Sequence, residues 1–385
     1  MKLERNMQRR KFLNQTACSL GGALLTSGVF QQPMPSWESS SRPLGPIHSF
    51  EPVVGDGRWI WREPPEKSRG YLEPRSYELS VGIELKGSGN LAEALAYTPV
   101  PLNHPEQRVD EVTIEKIGCD AVIRELSPDA GQLILYAPGL ANGQIVKAIA
   151  HYKLTLFKQY QGFEQDQFPV EQTIPKKIRM SAMGDSPGIQ TNSSIVRKLA
   201  NQISYGLTHP WSKAQAFVQW IQRNIRPQYG PYTSVLTAIE KKVGDCEEMS
   251  SLFVAFCRAS EIPSRLVWVP NHNWTEFYLT DHEGKGHWIP VHPACYHWFG
   301  WTGVHELVIQ KGDRVHVPEQ NKTFRLVMDW IRTNGNRPYS NYLAELKPLP
   351  PTPDGDAGPG TRSKDSKTGE WKLTGKHEQD RFARR

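Results

Sequence analysis

Several absences narrow the possibilities before any motif is read. No stripe of one charge sign exists: 46 basic and 40 acidic residues are interspersed over 385 positions, leaving a net charge of +6. Nucleic-acid binding has no support in that pattern. Long apolar runs are missing too, and the best candidate, near the N-terminus, is too short to span a bilayer comfortably. There is no internal repeat. Histidines 282, 287, 297 and 305 follow no metal-ligand spacing, so they read as ordinary loop and strand residues, and neither a metal nor a cofactor is expected. Cysteine is scarce, at five. What is abundant is punctuation: 30 prolines and 31 glycines dilute the apolar content and imply long irregular segments between two packed domains.

The first thirty residues carry Arg9-Arg10-Lys11-Phe12-Leu13 ahead of a short Ala-, Gly- and Leu-rich run. That is the layout of a twin-arginine export signal, which places the mature protein in the periplasm or outside the cell and on a membrane only if the signal stays uncleaved. Cys18 precedes the apolar core and is wrongly placed for a lipoprotein cysteine. Export of a chain already folded in a reducing cytoplasm suits a protein built around thiols instead of disulfides.

Texture then divides the chain. Residues 31–74 are Pro-, Ser- and Glu-rich and read as a linker. Residues 75–185 alternate apolar and polar positions at 76–87, 110–118, 131–138 and 144–160, which predicts an all-β, sandwich-like module. From 186 to 346 the period shifts toward 3.6, with helices expected over 193–204 and 209–225, and strands over 264–270, 274–280 and 287–293. A helical block feeding an antiparallel sheet is an α+β domain. Residues 347–385 read as a disordered tail.

The chemistry concentrates in GDCEEMSSLFVAFCRASEIPSRLVWVPNHNW, residues 244–274. Asp245 has the composition of an N-cap and Glu248 the capping-box spacing, which makes Cys246 the first helical residue, on the side of Met249, Phe253 and Cys257. A thiol there sits at the positive end of the helix dipole, where it acidifies and becomes reactive. Gly244 would allow a substrate backbone close to the thiol, and Glu247 and Glu248 are expected to point outward. Cys119, Cys257 and Cys295 read as small buried hydrophobes. Downstream, a hairpin around DHEGKG brings His272 and His292 to one face if Trp274 lies opposite His292. A base for the thiol and an orienting group for the base follow the logic of a nucleophilic triad. Gln228 or Tyr229 is a weaker candidate for an oxyanion donor. Trp274, Trp288, Trp298 and Trp301 read as core or cleft wall.

The run GDCEEMSSLFVAFCRASEIPSRLVWV, followed by HNWTEFYL and HWIPVHPA, resembles the core of the transglutaminase-like superfamily over roughly residues 190–315. The resemblance implies a papain-like transglutaminase fold, Cys246 as nucleophile and His272 as general base and acid. The family's aspartate position is filled here by His292, within Val291-His292-Pro293. A Cys–His ion pair can form without a carboxylate. The expected function is an amide acyl transfer, as peptidase, amidase or transglutaminase, on a peptide or protein amide. The alternative is a catalytically silent binding module on the same fold.

Overall fold

The computed structural model describes residues 63–350 apart from 66, 90–92, 229, 271 and 295–297, together with the backbones of Arg362–Lys364 and Trp371–Leu373, which pair antiparallel. The expected export signal and most of the expected linker lie outside the described residues, as does most of the tail. No helix among the described residues is long and apolar enough to cross a membrane.

The chain forms two compact units, and neither is continuous in sequence. The β unit comprises residues 64–162, 303–309 and the chain from Met328 onward. It contains β1 (Gly70–Lys86), β2 (Glu93–Val100), β3 (Gln107–Ile117), β4 (Asp120–Ser127), β5 (Ala130–Ala137) and β6 (Ile145–Tyr160). Within it one antiparallel sheet runs β3, β6, β1 and Tyr339–Pro348; the other runs Trp330–Asn334, β2, β5 and β4. The period-two pattern dictates the buried face. Leu79, Val81, Ile83 and Leu85 on β1 stand opposite Tyr152, Ala150, Ala148 and Val146 on β6, and all eight are buried. Cross-strand apolar pairs of this kind fix the register, because a one-residue slip would turn them all to the other face.

These units divide the chain differently from the expected 75–185 and 186–346. β1 begins at Gly70, inside the expected linker, and absorbs Glu73-Pro74 as a register shift between Leu72 and Arg75. A bulge accommodates a proline that cannot donate to the ladder. Residues 330–334 and 339–348 leave the second domain and return to the β unit, where Tyr339–Pro348 pairs with β1 from Lys86 back to Tyr77.

The second unit comprises residues 163–302 and 310–327 among those described. Its helices are α1 (Lys176–Ala182), α2 (Ser194–Ile203), α3 (Pro210–Asn224), α4 (Val235–Lys241) and α5 (Cys246–Ala259). Local chemistry starts them where the sequence indicates. The Ser193 hydroxyl caps α2 by accepting from Ile195 N–H, and Pro210, at the first position of α3, sacrifices no helical bond. Strands β7 (Ser264–Val269), β8 (His272–Thr280) and β9 (Gly286–Val291) follow as an antiparallel meander, with Gln310–Lys311 added beside β7. Helix α5 is the centre: every residue from Glu247 to Arg258 is buried. Leu252, Phe253 and Phe256 join Phe217, Ile221, Phe277 and Ile289 in the core.

Candidate active site

Asp245 accepts the N–H of Glu247 at 2.8 Å, while Glu248 reaches back to accept the N–H of Asp245 at 3.1 Å. This reciprocal cap fixes Cys246 as the first residue of α5, half-buried. Cys119, Cys246 and Cys257 are thiols, none engaged in a disulfide. Cys257 is fully buried, and burial pushes its thiol well above the usual range. Cys119 is only half-buried, so it is not the core residue expected. Cys18, Cys295 and His297 lie outside the described residues.

Helix α5 and β8 run side by side in the same sense. The Ser250 hydroxyl donates to the Asn273 carbonyl at 3.4 Å, and the rings of Phe253 and Phe277 follow 6.2 Å apart. Cys246 is one turn before Ser250 and His272 one residue before Asn273, so both stand at the same end of the unit. His292 is brought there by β9. The register pairs Thr275 with Val291, residues of equal parity, and the next residues outward on the two chains are Trp274 and His292. Their rings lie 5.1 Å apart with planes only 15° from parallel, and Trp298 closes the box edge-on at 5.2 Å. The His272 and His292 rings are 5.8 Å apart.

His292 is fully buried and His272 half-buried, and burial sets the charge. Burial pushes the His272 imidazole down to about 4 and His292 well below the usual range, the latter helped by repulsion from His272. Both rings are neutral at pH 7. A neutral imidazole is free to accept a proton.

Two expectations are overturned. Glu247 and Glu248 do not point outward; they are 5% and 4% exposed. Glu248 is drawn in by the cap and by the Thr233 N–H at 2.8 Å, with burial raising its carboxyl to about 7. Gly244 is required by that same carboxylate arm, since a Cβ there would fall 2.4 Å from Glu248 Cβ, and no substrate is needed to explain it. Gln228 is exposed; its backbone N–H donates to the Gly244 carbonyl at 2.9 Å and its side chain accepts from Arg226 at 3.4 Å. That puts Gln228 beside the turn that precedes Cys246. Tyr229 lies outside the described residues.

Residues 197–293 match the transglutaminase-like superfamily and form its core domain in this chain. Among solved structures, "a Putative Cysteine Protease from Cytophaga hutchinsonii" aligns with 72% of this chain and 92% of its own at 18% identity and a TM-score of 0.49. "A Putative Protease from Parabacteroides distasonis" aligns with 54% of this chain and 42% of its own at 11% identity and a TM-score of 0.24. No curated protein matches the chain.

The transglutaminase-like domain also uses residues that the sequence does not advertise. Gln222, buried on α3, donates to the Pro293 carbonyl at 3.4 Å and so braces the turn that holds His292. Arg325 ion-pairs with Glu247 at 3.0 Å from a segment seventy-eight positions downstream. No motif spans such distances. The stacking role of Trp274 is legible only once the alternation of β8 is fixed. The remaining histidines are ordinary partners: His282 to the Asp166 carbonyl at 3.1 Å, His287 to Asp281 at 2.6 Å, His305 to the Glu73 carbonyl. Trp274 and Trp298 are core, whereas Trp288 carries Arg265 on its face at 4.0 Å and Trp301 packs on Trp298 at 4.9 Å.

Proposed function

We propose that the chain is an exported thiol-dependent enzyme that transfers the acyl group of a peptide or glutamine-type amide. The observation that carries this reading is the common end of α5 and β8, with Cys246 at the helix start, His272 at the strand start and His292 across from Trp274. In the first half-reaction neutral His272 takes the Cys246 proton as the sulfur attacks the amide carbonyl. The carbon–nitrogen bond then breaks, and the imidazolium returns the proton to the departing amine, leaving a thioester. Water or a second amine attacks the thioester and regenerates the thiol. Access of that acceptor decides between hydrolysis and transamidation. His292 holds the ring of His272 in its productive orientation.

Alkylation by iodoacetamide tests the reading directly. Cys246 should react at least tenfold faster than buried Cys257 in the folded protein, whose thiol burial pushes upward. Cys246→Ser should abolish turnover of peptide and glutamine-donor substrates. Equal labelling of Cys246 and Cys257 would instead identify a catalytically silent binding module on the same fold.

A further inference from the structure

The residue following the thiol is a buried carboxylate, which is an unfavourable neighbour for a nucleophile that must become an anion. Glu247 is 5% exposed and one residue from the thiol along α5, and a buried negative charge in the same helical turn opposes thiolate formation. Its partner is Arg325. The Arg325 Nε donates to Glu247 Oε1 at 3.0 Å, and a second guanidinium nitrogen donates to the Ser251 hydroxyl, one turn along α5 from Glu247. A third contact runs to the Pro187 carbonyl at 3.2 Å. The guanidinium carbon also lies over aromatic rings, 3.8 Å from the centroid of Tyr232 and 5.4 Å from that of Trp268. Tyr232 in turn donates to the Gly188 carbonyl at 2.8 Å, and Thr233 donates to Glu248. Arg325 thus ties three separated segments to the first turn of α5.

From this we infer that Arg325 is a positioning residue for Cys246, one that neutralises Glu247 and keeps the thiol ionisable while it anchors the helix start. The inference rests on the proposed role of Cys246, but the two fail separately. A planar five-donor fork suits the task and an ammonium does not, since Arg325 must serve a carboxylate, a hydroxyl and a carbonyl while stacked on an aromatic face. Among the described groups near the helix start, Asp245 and Glu248 are engaged in the cap, Tyr232 lies against Arg325, and neutral His272 stands at the same end of the unit. None of these offers a counter-charge to Glu247. The remaining buried cation on α5, Arg258, is committed to Asp313 at 2.7 Å, at the far end of the helix.

The test is the pH dependence of iodoacetamide alkylation at Cys246, read by mass spectrometry on the full chain. This reports the ionisation of the thiol itself and needs no turnover. In Arg325→Gln the midpoint should rise by about one pH unit, slowing alkylation at pH 7 about tenfold. Adding Glu247→Gln should bring the midpoint back to within a few tenths of wild type, because the uncompensated charge is then gone. Arg325→Lys should fall between the two. Should Arg325→Gln fail to fold, Glu247→Gln alone answers: with the Glu247 charge gone and Arg325 retained, opposed only at a distance by Asp313, the midpoint should drop below wild type. An unmoved midpoint in Arg325→Gln or in Glu247→Gln, or a double variant still displaced as far as Arg325→Gln, would show a purely structural tie and overturn the inference. Loss of turnover with a normal midpoint in wild type would count against the proposed function and leave the role of Arg325 intact.

Discussion

At the residue scale, the resemblance puts His292 where the family carries aspartate, and the proposed site is then electrostatically different. An aspartate would supply a charge to hold His272 protonated; His292, 0% exposed between Trp274 and Trp298, supplies none. The neutral His272 remains a base down to about pH 4, so the acid limb of kcat/KM should lie near 4 and not near the ordinary histidine value of 6.5. His292→Asp should move that limb upward by a unit or more, since a carboxylate favours the protonated ring. His292→Ala should lower turnover at least tenfold and also lower Tm, because it opens a cavity in the aromatic box. A pH–rate profile of all three proteins separates these outcomes, and equal turnover in wild type and His292→Ala would sink the orienting role. Stability follows the same ring. The unfolded chain protonates His272 near 6.5 and the folded chain only near 4, so between these values the unfolded state binds more protons. Stability is therefore full above pH 6.5 and falls as the pH drops toward 4, by about 3 kcal/mol from this group. Urea titrations at pH 7 and pH 4.5 measure the loss, and identical midpoints would contradict it.

At the scale of elements, legibility tracked locality. The starts of α2, α3 and α5 are written in the residues that cap them, and the register of β8 on β9 follows from a parity requirement between Trp274 and His292. What escaped was set by partners far along the chain. Strands β2 and β4 lack a clean alternation of their own and are fixed by β5 between them. Glu247 turns inward because Arg325 waits there, and nothing within a helical turn of Glu247 announces it. Gly244 shows the same limit: the glycine is visible, but its reason is Glu248 folding back over it. Gly244→Ala should accordingly force the Glu248 arm aside and break the reciprocal cap, costing about 1–2 kcal/mol. Because the cap sets where α5 begins, alkylation of Cys246 should slow as well. Calorimetry and alkylation of Gly244→Ala and Glu248→Gln check this, and an unchanged Tm in Gly244→Ala would show that the cap relaxes without cost.

The molecule as a whole is organised by returns of the chain, and two expectations belong at that scale. The first concerns where the protein goes. Arg9→Lys with Arg10→Lys should retain the folded chain in the cytoplasm, and unchanged fractionation would reject the twin-arginine reading. The second concerns what holds the β unit together. Its six leading strands contain enough alternation to suggest a self-contained module, yet among the described residues one edge of β1 pairs with Tyr339–Pro348, which follows the transglutaminase-like domain in sequence. Ten consecutive residue pairs, from Tyr77 with Pro348 to Lys86 with Tyr339, depend on that return, and Trp330 stacks on Tyr97 at 5.3 Å in the other sheet. Removing the returning strand exposes the long apolar edge of β1, an edge prone to pair with other chains. Truncation after Pro338 should therefore yield aggregated protein or a Tm lowered by more than ten degrees, whereas truncation after Pro351 should leave Tm within a degree or two of the full chain. The comparison controls for loss of the tail itself. If both truncations melt together with the full-length protein, β1 does not need its late partner and the discontinuous β unit is wrong as a unit of stability.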